Sequence, residues 1–144
     1  MKANLMTTRI LEIGRTFVTA LSVRDFQRLQ TAFHEDVQFR ALVPEGIRGS
    51  IGSAETVAWL RRWFGSADEF QWLDSSVDQV ADRLHIVFCI LIYQNEEWQI
   101  VEQHAYCTVS EGGITAMNLV ATGFRPNLDA VYDLLTSGVL PNSA

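Results

Sequence analysis

The amino-acid sequence predicts an α+β domain in which helices pack over the concave face of one curved, mainly antiparallel sheet. Two observations support this fold class. Apolar residues recur at helical spacing in the front third, and four strand-like segments follow, joined by connections of three or four residues. Such short connections join antiparallel neighbours, because a parallel crossover needs roughly a dozen residues or more. Helices first and a long meander afterwards is an α+β plan.

The helical part is predicted to contain three segments. Thr8 is expected to cap the first, whose apolar stripe is Ile10, Ile13, Phe17 and Leu21. A break at residues 22–25 precedes a second short stripe, formed by Phe26, Leu29 and Phe33. Ser53 is predicted to cap a third helix that carries Val57, Leu60 and Phe64, and Gly65 stands where its C-cap should lie.

The strands are predicted from alternation and from turn residues. Residues 37–43 alternate apolar and polar side chains, and Pro44 with the glycines at 46, 49 and 52 predicts a loop after them. Four longer strands are expected at Phe70–Val80, Leu84–Tyr93, Trp98–Val109 and Ile114–Ala121. Residues 127–135 are expected to form a short C-terminal helix.

The turns predict the register of the sheet. Pairing Tyr93 with Trp98 places His104 opposite Val87, Glu102 opposite Cys89 and Tyr106 opposite His85. Pairing Val109 with Ile114 across the next turn places Met117 opposite Tyr106 and Leu119 opposite His104, provided that no bulge intervenes.

One face of the sheet therefore collects a cluster of polar, chemically active side chains. These are Glu102, His104 and Tyr106 on one strand and His85 on the next. Period-two spacing puts the first three on one side, about 7 Å apart along the strand. The cluster is suited to acid–base catalysis, with His104 as the proton carrier, Glu102 orienting it, and Tyr106 or His85 polarising a substrate oxygen. The alternative is that these groups only satisfy one another.

A metal site is a further alternative for the same residues. His85, His104 and Glu102 would form a two-histidine, one-carboxylate triad, but the sequence has no tight ligand motif. We therefore expect no metal and no cofactor.

The opposite face of the sheet carries Ile86, Phe88, Gln99 and Gln103 and is predicted to be the convex one. A face that is half apolar and half amide commonly packs on another subunit, so the sequence predicts a homodimer through it.

Composition narrows the function classes. The chain has 144 residues, 48% of them hydrophobic, and a formal charge of −6, which fits a single domain at residues 1–144 and argues against nucleic acid or an anionic membrane as partner. Lys2 is the single lysine, so Schiff-base chemistry is not expected. Cys89 and Cys107 lie in apolar strands and are expected to be free thiols of a cytoplasmic protein without a secretory signal or membrane span.

The chain resembles the nuclear transport factor 2-like superfamily, in its SnoaL-like branch of small cone-shaped α+β barrels. The resemblance covers nearly the whole length and rests on three segments, FVTALSVRDFQRLQTAFHEDVQFR, GSAETVAWLRRWF and VEQHAYCTVSEGGITAMNLVATGFRP. It implies that the helices close over the concave face of the sheet and leave a deep, mostly apolar cavity. The wall of that cavity is expected to be formed by Phe17, Leu60, Phe64, Met117 and Leu119.

The resemblance also implies which activity is absent. The functional tyrosine and two aspartates of the steroid isomerase branch fall here on Phe17, Ala41 and His104, so steroid isomerisation by that mechanism is not expected. The superfamily contains isomerases, dehydratases, cyclases, including polyketide cyclases, and non-catalytic modules, and the fold alone does not choose among them.

The sequence therefore leaves two functions open. One is a cofactor-independent acid–base enzyme, of the lyase or isomerase type, that acts on a small cyclic or polyketide-like compound. The other is a non-catalytic ligand-binding or assembly module of the same fold. The substrate is not identified by the sequence.

Overall fold

The computed structural model describes residues 2–126, with the side chains of residues 8–126. Three helices precede or interrupt the sheet: α1 (Lys2–Ser22), α2 (Phe26–Gln30) and α3 (Ser53–Phe64). The strands are β1 (Phe33–Val43), β2 (Gly46–Ile51), β3 (Glu69–Val80), β4 (Arg83–Gln94), β5 (Glu97–Ser110), β6 (Gly113–Ala121) and β7 (Arg125–Pro126). The predicted C-terminal helix lies outside the described residues.

The strands form one curved, open sheet. Together with the helices packed on it, this sheet gives the predicted cone-shaped α+β fold. The spatial order is β2-β1-β6-β5-β4-β3, with the short β7 paired to β5. Among the described strand pairs, only β1 and β6 run parallel. A parallel pair is possible here because the long chain segment between the two strands, which includes β3, β4 and β5, serves as the crossover connection. The mainly antiparallel sheet of the prediction is therefore confirmed, and the four long strands lie within two residues of their predicted bounds.

The helices follow the predicted apolar stripes. Ile10, Ile13, Phe17 and Leu21 are all buried in α1. The prediction that Thr8 caps this helix is wrong: α1 starts at Lys2, since no proline or glycine interrupts helical backbone in residues 2–8. In α3 the N-cap is Gly52 rather than Ser53, while Gly65 is the C-cap as predicted.

The loop predicted after β1 is also wrong. Residues 46–51 form β2, an edge strand that pairs antiparallel with β1 from Gln38↔Ile51 to Val43↔Gly46. Glycines weaken a strand but do not exclude it at a sheet edge. The turn of this hairpin packs against the chain after β6, where a Cβ on Gly123 would come within 2.6 Å of Pro44 Cγ.

The core lies between the helices and the inner face of the sheet. Phe17 of α1 contacts Phe33 edge-on and Phe88 at ring distances of 6.0 and 5.8 Å, and Trp72 stacks on Phe88 at 5.3 Å. The inner face of the long strands is buried at Leu84, Ile86, Phe88, Ile90, Ile92, Val101, Gln103, Ala105, Cys107, Met117 and Leu119. This layer is the floor on which the helices sit.

A bulge between β5 and β6 fixes which residues belong to that inner face. Val109 pairs with Ile114 as predicted, but the next pair is Thr108 with Ala116, so Thr115 is the extra residue. The Thr115 hydroxyl donates to the Thr108 carbonyl at 3.2 Å. Met117 therefore pairs with Cys107 and Leu119 with Ala105, and their predicted pairing with Tyr106 and His104 is wrong.

No helix in residues 2–126 is both long enough and apolar enough to cross a membrane.

We predict that Gly113→Ala lowers the free energy of unfolding by about 2–4 kcal/mol. Gly113 has φ +121°, and a Cβ there would lie 2.8 Å from the Ala32 carbonyl oxygen and 2.9 Å from the His34 nitrogen. Both are backbone atoms that cannot move aside cheaply. Urea unfolding of the two proteins measures the difference.

Gly112→Ala is the matched control, since its Cβ would meet only side-chain atoms, the edge of the His34 ring at 3.0 Å and Ser110 Oγ at 3.9 Å, and no backbone atom. A change within about 1 kcal/mol is expected for this neighbour. Equal losses for both variants would contradict the close approach of β6 to the start of β1.

Candidate functional site

The predicted cluster of polar side chains is present, and its residues pair across β4 and β5 in the predicted register. His85 pairs with Tyr106, Val87 with His104 and Cys89 with Glu102, as the turn between β4 and β5 predicted. The His85 and Tyr106 rings stack 4.6 Å apart, and the His104 ring lies 5.9 Å from His85. Nε2 of His104 is 3.4 Å from Oε2 of Glu102.

The predicted position of this cluster in the cavity is wrong, because it lies on the outer, convex face of the sheet. The side chains of His104 and Glu102 are 36% and 52% exposed, and Tyr106 is 49% exposed. Their neighbours Val101, Gln103, Ala105 and Cys107 point to the buried side instead. The two faces are therefore exchanged relative to the prediction, and Ile86, Phe88 and Gln103 belong to the concave face.

The side chains of this cluster pack against one another but do not form a set of metal ligands. Nε2 of His85 is buried and has no hydrogen-bond partner among residues 8–126. In that same part of the chain no three His, Cys, Asp or Glu side chains are close enough together to hold a metal ion. The alternative triad of His85, His104 and Glu102 is therefore not assembled.

The residues predicted to line an apolar wall are all on the concave side. Phe17, Leu60, Phe64, Met117 and Leu119 are at most 1% exposed. They belong to the buried core, and none of them lines the cavity described below. Of the three positions compared with steroid isomerases, Phe17 and Ala41 are buried on the concave side and His104 is not.

A cavity of about 250 Å³ lies beside α3 and the inner face of the sheet. It lies between the C-terminal part of α3, the β1–β2 hairpin, the inner face of β5 and the chain after β6. Its lining residues are Val43, Glu45, Arg48, Trp63, Val101, Gln103, Ala121, Gly123 and Phe124. Trp63 is held in place by Phe39 at 6.2 Å and Trp59 at 5.8 Å between ring centres. The cavity therefore has a rigid aromatic wall.

Gln103 is the buried polar side chain of this cavity. It is 2% exposed and pairs across the sheet with Phe88 and Ala121. Its Oε1 is buried and accepts no hydrogen bond from residues 8–126. Buried amide oxygens are nearly always hydrogen-bonded in proteins, so this oxygen is an exception among the described residues.

Charged groups stand at the rim of the cavity. Glu45 is exposed in the hairpin turn, and Arg48 is half-buried and donates from Nη1 to the Ile47 carbonyl at 3.2 Å. Among residues 8–126 Arg48 forms no ion pair. The cavity thus has an apolar body, one polar group in its depth and two opposite charges at its entrance.

The two cysteines lie on opposite faces of the sheet. Both are free, and burial raises the pKa of the Cys107 thiol to about 12 on the concave side. Cys89 lies on the outer face, where partial burial and then the charges of Glu102 and Asp74 raise its pKa. Neither thiol is therefore activated as a nucleophile.

Comparison with known proteins identifies the fold. No family model and no curated protein matches the sequence. Among solved structures, a candidate polyketide cyclase of Xanthomonas campestris pv. campestris has a TM-score of 0.65 and 18% identity, over 78% of this chain and 90% of that one. A SnoaL-like polyketide cyclase candidate of Shewanella denitrificans has a TM-score of 0.61 and 13% identity, over 89% and 97%.

A third neighbour contains a bound compound. TerC co-crystallised with polyporic acid has a TM-score of 0.61 and 14% identity, over 89% of this chain and 98% of that one. These likenesses show the fold of the chain, which is the fold of nuclear transport factor 2-like proteins, as the resemblance in sequence implied.

We predict that a thiol-specific reagent labels Cys89 and not Cys107 in the native protein. Cys89 is partly exposed on the outer face, whereas Cys107 is 1% exposed and its thiolate is scarce below pH 12. Labelling of Cys89 should accelerate about tenfold per pH unit below its raised pKa, because only the thiolate reacts. Mass spectrometry of the peptides after labelling at several pH values measures both rates.

The Cys89→Ser variant is the control and should show no label until it is unfolded. Labelling of Cys107 in that native variant would place β5 in the opposite orientation from the one described.

Proposed function

We propose that this protein binds a small, largely apolar or cyclic organic molecule in the cavity between α3, the β1–β2 hairpin and the inner face of β5. The observation that carries the proposal is the combination of an open apolar cavity of about 250 Å³ with a buried, unpaired amide oxygen at Gln103. Ligand sites are typically apolar clefts in which a few polar groups fix the orientation. This arrangement fits that description.

The size and the wall of the cavity limit the ligand. Typical ligand pockets have volumes of about 300–1,000 Å³, so a cavity of about 250 Å³, just below that range, suits a compound of one or two rings. Trp63 and Phe124 offer ring faces to such a compound, while Val43, Val101 and Ala121 offer aliphatic contacts. The neighbouring structure that contains polyporic acid supports a cyclic ligand as well.

A second candidate is a cofactor-independent acid–base enzyme of the lyase or isomerase type. It is favoured by the polyketide cyclase candidates among the neighbours and by Glu45, the carboxylate among the described residues that line the cavity. The outer position of His104 and Tyr106 excludes them from a reaction in this cavity. Recovery of the bound compound unchanged would indicate a binding module. Conversion that is lost in Glu45→Gln and kept in His104→Ala would indicate the enzyme.

We predict that Ala121→Leu weakens the binding of 2-naphthol at least about tenfold, because the larger side chain fills the cavity from β6. Isothermal titration calorimetry measures the dissociation constant, and intrinsic tryptophan fluorescence provides an independent reading. The matched control is Ala116→Leu, which adds the same atoms to the same strand on its outer face, opposite Thr108.

Binding to Ala116→Leu should match the parent protein within about twofold. An equal loss of affinity in both variants, or none in either, would contradict the position of the ligand.

We also propose that the chain forms a homodimer through the convex face of the sheet. The large apolar side chains that remain exposed there are Leu42, Ile47, Ile51, Val80, Tyr106 and Val120. Leu42 pairs with both Ile47 and Val120, so apolar surface runs across the three strands β2, β1 and β6. A contiguous apolar patch of this kind on a soluble domain marks an interaction surface.

We predict that Val120→Glu converts the dimer to a monomer, because it places a charge in the middle of that apolar row. Size-exclusion chromatography with light scattering measures the mass in solution. Val23→Glu is the control, since Val23 is 70% exposed in the turn after α1, away from the sheet, and its mass should not change. A parent protein that is monomeric at every concentration would overturn the dimer.

A further inference from the structure

We infer that Arg48 makes the cavity selective for ligands that carry a carboxylate on their ring system. The inference rests on the proposed function, because it concerns the charge of the ligand that the same cavity holds. It makes Arg48 a specificity-determining residue and names the chemical class of its ligand, which is a small cyclic or aromatic carboxylic acid.

The register of the edge strand β2 places Arg48 on the concave side of the sheet. Arg48 pairs with Ala41, and residues directly opposite each other on two strands point to the same face. Ala41 is 1% exposed beneath the helices, whereas Ile47 is 60% exposed on the outer face. Arg48 therefore brings a positive charge to the inner side of the hairpin, and it lines the cavity there.

The guanidinium lies at the hairpin end of the cavity. Its Nη1 donates to the Ile47 carbonyl at 3.2 Å and lies 3.5 Å from the position that a Cβ on Gly46 would take. Gly46 pairs with Val43, which is part of the cavity wall. A ring that packs on this wall can consequently present an acidic group to the guanidinium.

Most of the hydrogen-bonding capacity of this guanidinium is unused. An arginine side chain has five N–H donors and no acceptor, and within residues 8–126 Arg48 makes the single bond to Ile47 and no ion pair. An amide can turn to offer either a donor or an acceptor, but a guanidinium offers donors in every orientation. A carboxylate is the group that fits two of these donors at once and also balances the charge.

The carboxylate of Glu45 lines the same cavity but does not neutralise Arg48. Glu45 is exposed in the hairpin turn, and no ion pair joins it to Arg48 in the described part of the chain. Water and salt screen an exposed charge more strongly than a half-buried one. The cavity is therefore expected to favour an anion over a cation.

Three probes with one ring system test the inference on the native protein at neutral pH. They are 2-naphthoate, which is an anion, 2-naphthamide, which is neutral and has nearly the same shape, and 2-naphthylmethylamine, which is a cation. Isothermal titration calorimetry should show that 2-naphthoate binds at least about tenfold more tightly than each of the others. The amide would bind more tightly than the anion if desolvation alone decided affinity, because an ion loses more hydration on burial.

Arg48→Gln removes the charge and should reduce the preference for 2-naphthoate over 2-naphthamide to about twofold or less. The matched control is Arg40→Gln, which removes the same charge from the neighbouring strand. Arg40 pairs with Gly49 and is exposed on the outer face, so this variant should keep the preference within about twofold. Circular dichroism and thermal unfolding show whether both variants are folded, and the comparison of the three probes on the native protein does not depend on them.

The outcomes distinguish this inference from the proposed function. Equal binding of the three probes, or tightest binding of the amide or the amine, would overturn selection for acids and leave the cavity as a binding site. Failure of all three to bind would overturn the proposed function and this inference together. A preference that persists in folded Arg48→Gln, or that is lost equally in folded Arg40→Gln, would overturn the role of Arg48.

Discussion

The side-chain alternation of β5, together with the bulge that joins β5 to β6, determines what this molecule can do on each side of its sheet. Thr115 is the extra residue, and its hydroxyl bonds to the Thr108 carbonyl at 3.2 Å. Because of that one residue, Met117 and Leu119 lie beside Cys107 and Ala105 and complete the floor under the helices. A bulge that moves a whole strand by one position exchanges every inner side chain for an outer one.

This constraint separates two surfaces with different chemistry. The concave side holds the aromatic core and, beside α3 and the β1–β2 hairpin, a cavity that Gln103 and Trp63 line. The convex side holds the apolar row around Val120 and the rings of His85, His104 and Tyr106. We assign ligand binding to the first surface and self-association to the second. A substitution on one face should therefore leave the function of the other intact.

Much of the fold could be predicted from the sequence, because local patterns determine it. The turn at residues 94–97 predicted the whole β4–β5 register, and the apolar stripe of α1 predicted its buried face. The predicted orientation of β5 is wrong for a physical reason. Its neighbour β4 is mostly apolar on both faces, so the sequence of β4 does not show which face of the sheet the helices cover. In β5 the signal was present, since polar Glu102, His104, Tyr106 and Thr108 alternate with mostly apolar neighbours. No pattern in the sequence predicts the bulge at Thr115. The cavity could not be predicted either, because it depends on contacts between segments that are distant in the sequence.

Nuclear Overhauser effects from bound 2-naphthol to the protein test the central claim most directly, namely that residue 103 faces the cavity and residue 104 faces away from it. We expect effects between the naphthol protons and the side-chain amide of Gln103 and the indole of Trp63, with none to the ring of His104. Effects to His104 and Tyr106 without any to Gln103 would contradict it, because the ligand would then lie on the convex side of the sheet.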